Sequence, residues 1–225
     1  VVLGTAQTWS ANGTGANGSS LALSGAITGA AGAPLAINSA GGTGVVSMNA
    51  ATGLNTYSGT TTVSDGGILQ GGATNSFSTN SDFVVNGTGI LRLNGFNNTI
   101  RSLSGTGGTV QNNNASTIAT LTVGASNAST SFSGALVNGG TATLGLTKVG
   151  TGTLTLSGTN TYTGATLVNN GTLRFGVNHA LSQSTAVTIG NTSGNNTATL
   201  DLNGKQWTST GGLTFTGTSS SLNSQ

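Results

Sequence analysis

Ionisable side chains are almost absent from this chain. Only 4% of its 225 residues are charged, with five Lys and Arg, three Asp, no Glu and a single His, against roughly 25% charged residues in an average domain. The basic residues are scattered, at positions 92, 101, 148, 174 and 205. Nucleic acids and anionic lipids are bound by clustered basic residues, so this scatter predicts no nucleic-acid partner and no anionic membrane surface.

Cysteine is missing and proline occurs once, at Pro34. The chain can therefore form neither a disulfide nor a thiolate metal site, and it is neither a proline-rich linker nor collagen-like. No apolar run approaches the roughly 18 residues of a transmembrane helix, so no membrane span is predicted. The sequence begins Val1-Val2-Leu3 with neither Met nor a signal peptide, and we expect a processed chain or an excerpt of a longer one.

Glycine, Thr, Ser and Asn supply most of what is present, with 39 glycines alone. Apolar residues alternate with polar ones in short runs, as in Leu91-Arg92-Leu93 and Leu154-Thr155-Leu156. This period of two is typical of strands. Asn-Gly pairs such as Asn94-Gly95 supply residues that tolerate a positive φ in tight turns. The sequence predicts an all-β protein without helices longer than about one turn.

A long internal repeat organises the chain. Asn55–Gly59 recurs as Asn160–Gly164, a spacing of 105 residues, and Leu91–Gly95 recurs as Leu200–Gly204, a spacing of 109 residues. We expect residues 1–225 to form one array. Its predicted parts are a partial repeat over 1–23, a first period over 24–132 and an incomplete second period over 133–225.

Two architectures fit short strands within a long repeat. A sandwich or barrel pairs neighbouring strands through hairpins, whereas a solenoid stacks each turn in parallel on the previous one. Stacked turns place equivalent side chains about 4.8 Å apart, where two like charges repel by roughly 1 kcal/mol even in water. Neutral Thr, Ser and Asn avoid this repulsion. The shortage of charge therefore favours a parallel β-solenoid with a tandem repeat of about 105–109 residues.

The repeated phrases resemble a known family. The stretch "GTGTLTLSGTNTYTG" followed by "NNGTLRFG", within residues 150–176, is similar to the passenger-associated β-strand repeat of bacterial autotransporters and related giant surface proteins. The upstream copy is degenerate, with Met48-Asn49-Ala50-Ala51 in place of Leu-Ser-Gly. The resemblance implies a right-handed parallel β-helix, secretion across the envelope and a role as stalk, adhesin or surface coat. It brings no catalytic residues.

Few residues could carry chemistry. His179 could formally join a Ser-His-Asp triad, but no Gly-x-Ser-x-Gly turn accompanies it, and a solvated turn histidine is the simpler interpretation. Asp65 and Asp82, 17 residues apart, could lie on neighbouring turns as a pair of carboxylates for glycoside hydrolysis, but isolated surface acids are the simpler interpretation. One His and three Asp are too few to predict a zinc site. We expect no catalytic, cofactor-binding or metal-binding residues, and no enzyme.

Other residues suggest surface roles. Arg92 and Asp201 occupy equivalent repeat positions and could form a salt bridge between laterally packed fibres, although two unrelated surface charges are the simpler interpretation. The recurring aromatic residues are predicted to be structural, with a sugar-stacking platform as the alternative; they are Trp9, Tyr57, Tyr162 and Trp207. Ice binding would need a Thr-x-Thr pair on every turn, and pieces of such a ladder are present at Thr151, Thr153, Thr155, Thr159, Thr161 and Thr163.

The sequence therefore predicts a non-catalytic extracellular β-solenoid that forms a bacterial surface fibre or coat. We expect its partner to be a further copy stacked end to end, or further repeats of the same polypeptide. The alternative is an autotransporter-type adhesin that presents loops to a polysaccharide or a host surface. Its contacts would come from residues 178–184 and 191–197, since these loops depart from the repeat.

Overall fold

The computed structural model describes residues 1–10, 20–39, 44–190, 196–217 and 219–225. Within these residues the chain forms 24 short strands and no helix. In chain order the strands are β1 (Val2–Leu3), β2 (Gln7–Trp9), β3 (Ser20–Leu23), β4 (Thr28–Gly29), β5 (Leu35–Ile37), β6 (Val45–Met48), β7 (Thr61–Val63), β8 (Ile68–Gly71), β9 (Asp82–Val85), β10 (Ile90–Arg92), β11 (Asn98–Ile100), β12 (Ser102–Ser104), β13 (Thr109–Asn112), β14 (Ala119–Val123), β15 (Thr130–Phe132), β16 (Ala135–Gly139), β17 (Leu144–Lys148), β18 (Thr153–Leu156), β19 (Thr166–Val168), β20 (Gly171–Phe175), β21 (Val187–Ile189), β22 (Ala198–Asp201), β23 (Leu213–Phe215) and β24 (Ser220–Asn223).

The strands stack in parallel as a β-solenoid of about nine turns, which confirms the predicted fold class. Each turn passes three sides. Side I carries β1, β4, β11, β14, β17, β19, β21 and β23; side II carries β2, β5, β7, β9, β12, β15, β18, β20, β22 and β24; and side III carries β3, β6, β8, β10, β13 and β16. Side II consists of two five-stranded sheets, and a single bridge between Gly105 and Phe132 joins them. Side II therefore extends along the whole described solenoid.

Regular strands are interrupted on one side at a time. On side I, β4 and β11 are separated by two turns in which residues 54–57 and 76–78 are not strands. On side III, residues 160–162 and 178–181 follow β16 without forming strands. Parallel strands need their backbone groups paired on both edges, so other groups must bridge these gaps.

The core consists of columns of apolar side chains that point inward. On side III the register aligns Val46, Leu69, Leu91, Val110 and Leu136 on successive turns, and each is at most 1% exposed. Burial of one such side chain stabilises the fold by roughly 1.5–3 kcal/mol. The alternation seen in the sequence therefore places every second residue of a strand in a continuous apolar column.

The sequence repeat is not a whole number of turns. The phrase that forms β6 in the first copy forms β18 in the second, and the path between them passes fourteen strand positions on a three-sided coil. Fourteen positions are four turns and two further sides. The equivalent strand therefore moves from side III to side II, and the interrupted side moves from I to III. The division into periods at residues 24 and 133 stays a prediction.

Candidate functional surface

Asparagine side chains bridge the gaps between strands. Asn160 Oδ1 accepts a hydrogen bond from Leu136 N at 2.7 Å, and Asn160 Nδ2 donates to Ala180 O at 2.6 Å. One buried amide thus satisfies a backbone donor on the turn below and a backbone acceptor on the turn above. It replaces the ladder that a strand would have formed on side III.

The first copy contains the same bridge. Asn55 Oδ1 accepts from Ile27 N at 2.6 Å, and Asn55 Nδ2 donates to Ser76 O. Both asparagines are 2% exposed. The bridging role of this residue is not evident from its place in a repeated phrase. The signal was an Asn that recurs at the start of Asn-Thr-Tyr although nothing near it needs a turn.

The two tyrosines of the repeat are core residues. Tyr57 and Tyr162 are fully buried, and each hydroxyl is hydrogen bonded to a threonine four residues on, Thr61 at 2.9 Å and Thr166 at 2.5 Å. Their structural role is confirmed. A sugar-stacking platform is wrong for these two rings because neither has any exposed face. The partly buried Trp207 packs edge-on against Phe175, with ring centroids 5.9 Å apart.

Burial raises the pKa of both tyrosine hydroxyls well above the ordinary value of about 10. The folded chain then keeps two protons that the unfolded chain releases above pH 10, so this stabilisation is complete below about pH 10 and is lost as the pH rises further. We expect no tyrosinate absorbance in an alkaline titration until the circular dichroism signal of the sheets collapses. Tyrosinate formation in a still-folded protein would contradict this expectation.

The structure does not bring Asp65 and Asp82 together as the carboxylate pair that the sequence left as an alternative. Asp65 and Asp82 lie on neighbouring turns of side II, but the register places Asp82 beside Thr60, at the start of the strand, whereas Asp65 follows its end. Asp65 lies in the turn after β7, at φ 50°, so the two acids are at opposite ends of β7 rather than side by side, as a pair of glycosidase carboxylates would have to be. Asp82 instead accepts hydrogen bonds from Arg101 Nη1 at 3.1 Å and Ser102 Oγ at 2.6 Å.

Asp201 forms its ion pair within the same solenoid. Arg174 Nε lies 2.7 Å from Asp201 Oδ2, on the neighbouring turn of side II. Asn203 N and Asn223 Nδ2 donate to the other carboxylate oxygen. Asp201 is almost fully buried by these contacts. The alternative of a salt bridge between fibres, from Arg92 to Asp201, is not supported because this carboxylate is already paired. Both ion pairs of the described residues join opposite charges on adjacent turns.

His179 lies in a turn at φ 51°. Its backbone N donates to Gln206 O at 2.8 Å, and within the described residues its side chain contacts neither a serine hydroxyl nor a carboxylate through a hydrogen bond. The triad geometry is thus not assembled around it. In the same part of the chain, no group of three His, Cys, Asp or Glu side chains is placed to hold a metal ion.

Lys148 is the one buried cation among the described core residues, at 1% exposed. It occupies an inward position of β17, between Val123 and Val168. Its Nζ reaches a corner of the coil and donates to three backbone carbonyls, those of Val149 at 2.7 Å, Gly150 at 2.9 Å and Asn170 at 3.2 Å. This lysine ties two turns together through their corner carbonyls.

Burial lowers the pKa of Lys148 to about 8. Between about pH 8 and the ordinary value near 10.5, the unfolded chain binds more protons at this position than the folded chain. The stability contributed by Lys148 therefore rises with pH in this window, before the tyrosines begin to titrate. We expect the urea midpoint of the wild type to rise from pH 8 to pH 10. Lys148→Met, with no amine to titrate, should show a flat profile, and a parallel rise in both proteins would contradict the assignment.

A surface groove lies at the corner between sides I and II. Its volume is about 330 Å³, and its lining is Thr151, Asn170, Gly171, Thr172, Asn196, Thr197 and Thr199. No lining residue is charged. Of the two loops predicted to bind a partner, 178–184 is described on side III, whereas 191–195 lies outside the described residues.

The threonines between positions 151 and 163 do not form two aligned columns on one face of the solenoid. Thr153 and Thr155 both lie on the outer face of β18, but on the next turn their neighbours are Thr172 and Arg174. Thr151, Thr159, Thr161 and Thr163 fall outside the strands. An ice-binding face needs matched columns on every turn, so the described surface does not support this alternative.

Comparison with known families agrees with this geometry. The family model described as passenger-associated-transport-repeat matches residues 40–70 and 146–175. The chain carries two passenger-associated-transport repeats. Apart from residues 40–43, which are not described, the first repeat runs through β6 and β7 into β8, and the second runs from within β17 to β20. No curated protein and no solved structure matches the chain significantly.

Each matched segment contains one bridging asparagine, Asn55 or Asn160, and one buried tyrosine. The repeat therefore includes the side chain that joins adjacent turns where a strand is interrupted. The repeat is that of autotransporter passengers and implies secretion toward the cell surface. Together with the solenoid fold it suggests a structural role. None of the described residues forms a helix that is long and apolar enough to cross a membrane.

Proposed function

We propose that this chain is a non-catalytic structural segment of an extracellular fibre on a bacterial surface, and that copies stack end to end to build it. The observation that carries the proposal is the exposure of core columns at the last described turns and, on side III, at the first. Leu3, the inward residue of β1, is fully buried, so the column of side I is covered at the first turn.

At the last turns, Phe215 follows Ile189 in one column and Leu222 follows Leu200 in another. Ile189 and Leu200 are fully buried, whereas Phe215 is 48% and Leu222 is 43% exposed. At the opposite end, Leu21 is 37% exposed and its neighbour on the next turn, Val46, only 1%. A further turn would cover these side chains and pair the open strand edges, which otherwise attract other strands.

Electron microscopy of concentrated protein tests the proposal. We expect unbranched filaments of one solenoid's width, with an axial spacing of about 4.8 Å in fibre diffraction. A charged residue at the end, in Phe215→Asp or Leu222→Asp, should leave short rods. Ile118→Asp is the matched control, because Ile118 is 64% exposed and lies between strands on the flank of the coil rather than at an end.

Filaments from the wild type and the control, but not from the end variants, would support the proposal. Monodisperse rods at every wild-type concentration in sedimentation velocity would overturn it. So would filaments of the end variants that match those of the wild type.

A further inference from the structure

One Asn-Gly pair of the described chain differs from the others in where its side chain lies. Asn170 Oδ1 accepts a hydrogen bond from the N–H of the next residue, Gly171, at 2.8 Å. The asparagine side chain is therefore folded back over the following peptide bond. Its Cγ, which is bonded to Oδ1, lies beside the Gly171 nitrogen, and closure of a five-membered succinimide ring requires this proximity.

The other described Asn-Gly pairs hold their side chains in different contacts. They lie at positions 86–87, 94–95, 138–139 and 203–204. Each of these asparagine side chains forms a hydrogen bond to a residue outside its own pair. Asn86 Oδ1, for example, accepts from Thr106 N at 2.9 Å, and Asn138 Oδ1 accepts from Thr163 N at 3.1 Å, both on a neighbouring turn. These contacts must break before the side chain can close a ring.

A cation contacts the peptide bond between Asn170 and Gly171. Lys148 Nζ donates to Asn170 O at 3.2 Å, and this oxygen belongs to the same peptide group as the Gly171 nitrogen. When that nitrogen loses its proton, amide resonance carries the negative charge onto the oxygen. An ammonium group at the oxygen stabilises this charge, as donors at an oxyanion do in enzymes. Residues 144–153 and 166–172 contain no carboxylate that would neutralise the ammonium.

From this geometry we infer that Asn170 and Gly171 are a self-modification site, at which Lys148 promotes deamidation. The Gly171 nitrogen attacks Asn170 Cγ, so that the N–Cγ bond forms and the Cγ–Nδ2 bond breaks. The side-chain NH2 group leaves as ammonia and takes up the proton of the Gly171 nitrogen. Water then opens the succinimide to aspartate or isoaspartate. Both residues line the surface groove at this corner, so water reaches the ring.

One contact opposes the reaction. The Gly171 N–H also donates to Thr197 O at 2.8 Å, on the neighbouring turn, and the nitrogen must lose this proton before it attacks. Thr197 is exposed and directly precedes β22, so a local opening at this bond frees the nitrogen. We therefore expect a slow reaction that takes place in the folded protein.

The reaction would change the electrostatics of the corner. The product carries a carboxylate where Lys148 has neutral carbonyls as its partners, and an opposite charge nearby favours the ammonium form. The first repeat already has an acid at this position, since Asp65 is equivalent to Asn170 at the spacing of 105 residues. Deamidation thus gives the second repeat the charge that the first repeat encodes.

Peptide mass spectrometry of the folded protein, incubated at neutral pH, tests the site because it locates each asparagine that has become an acid. Asn86 is the matched comparison, since Gly-Thr follows it as it follows Asn170. We expect Asn170 to deamidate at least about tenfold faster than Asn86, as proximity predicts. Lys148→Met should slow the reaction at Asn170 severalfold. Lys205→Met, which removes the same charge from a turn outside this corner, should leave it unchanged.

The direction of the lysine effect separates chemistry from folding. If Lys148 only held the turns together, its loss would loosen the bond to Thr197 and speed the reaction. An unchanged or faster rate at Asn170 in Lys148→Met would therefore overturn the role of the lysine. Equal rates at Asn170 and Asn86 in the folded wild type would overturn the site.

The wild type in urea keeps the test decisive if Lys148→Met does not fold, because unfolding removes both the side-chain geometry and the lysine contact. Asn170 should then react no faster than Asn86. An excess at Asn170 that persists in urea would assign the difference to local sequence and overturn the inference.

Discussion

Asn160→Ala is expected to destabilise the second repeat by about 3–5 kcal/mol. Alanine leaves Leu136 N–H and Ala180 C=O buried without partners, and each orphaned group costs roughly 1–3 kcal/mol, to which a small cavity adds. A solenoid is held together by contacts between neighbouring turns, so the loss should appear locally. The measurements are the urea midpoint by circular dichroism and hydrogen exchange of the Leu136 amide, which should lose most of its protection.

Asn80→Ala is the matched control for this variant. Asn80 is exposed, and its side chain donates one long hydrogen bond, to Thr56 O at 3.5 Å, so its replacement should change the free energy of unfolding by less than about 0.5 kcal/mol. Asn160→Asp should be as damaging as Asn160→Ala, because a carboxylate cannot donate to Ala180 O. A loss below about 1 kcal/mol in Asn160→Ala would show that the amide bridge is dispensable.

Gly59→Ala is expected to prevent two turns of the first repeat from stacking at their native distance. A Cβ on Gly59 would lie 1.9 Å from Ala33 O and 2.2 Å from Ala33 C, both in the backbone of the neighbouring turn. No side-chain rotation relieves a clash with backbone, so the turns must separate. The destabilisation should exceed the roughly 1–3 kcal/mol of ordinary overpacking. At Gly164, the equivalent residue of the second repeat, a Cβ would lie 2.2 Å from Leu144 O, and Gly164→Ala should have a similar effect.

Gly25→Ala isolates the steric cause. Gly25 has no heavy atom within 4 Å of its Cβ position and no positive φ, so alanine there should leave the urea midpoint nearly unchanged. Expression yield, sedimentation and circular dichroism together distinguish a misfolded Gly59→Ala chain from a merely weakened one. A Gly59→Ala protein with the wild-type midpoint would mean that the two turns are not held at this distance.

The fold was predictable from sequence because its two causes are local and repetitive. Alternation such as Leu154-Thr155-Leu156 defines an inward and an outward face, and the lack of charge removes the main obstacle to stacking equal positions. The buried Tyr57 and Tyr162 were also predictable as structural residues, since they recur with the repeat.

Contacts between turns were not predictable, since they depend on the register. The two ion pairs join residues 19 and 27 positions apart, and such pairs can be identified as neighbours only when the length of each turn is known. The sequence therefore could not show that Asp82 meets Arg101, that Asp201 meets Arg174, or that Arg92 meets no carboxylate. For the same reason, nothing in the sequence marked Lys148 as the donor to three corner carbonyls.

The uneven length of the repeat has a consequence for how a long array would meet its surroundings. Each copy is turned by one third of a revolution relative to the previous one, so a given outward residue points in a new direction in every copy and returns to its first direction in the fourth. An array of such repeats would be radially multivalent. A contact that one copy makes with a flat surface could not be repeated by its immediate neighbours. A network of polymer that surrounds the array could instead be bound by equivalent residues on every side.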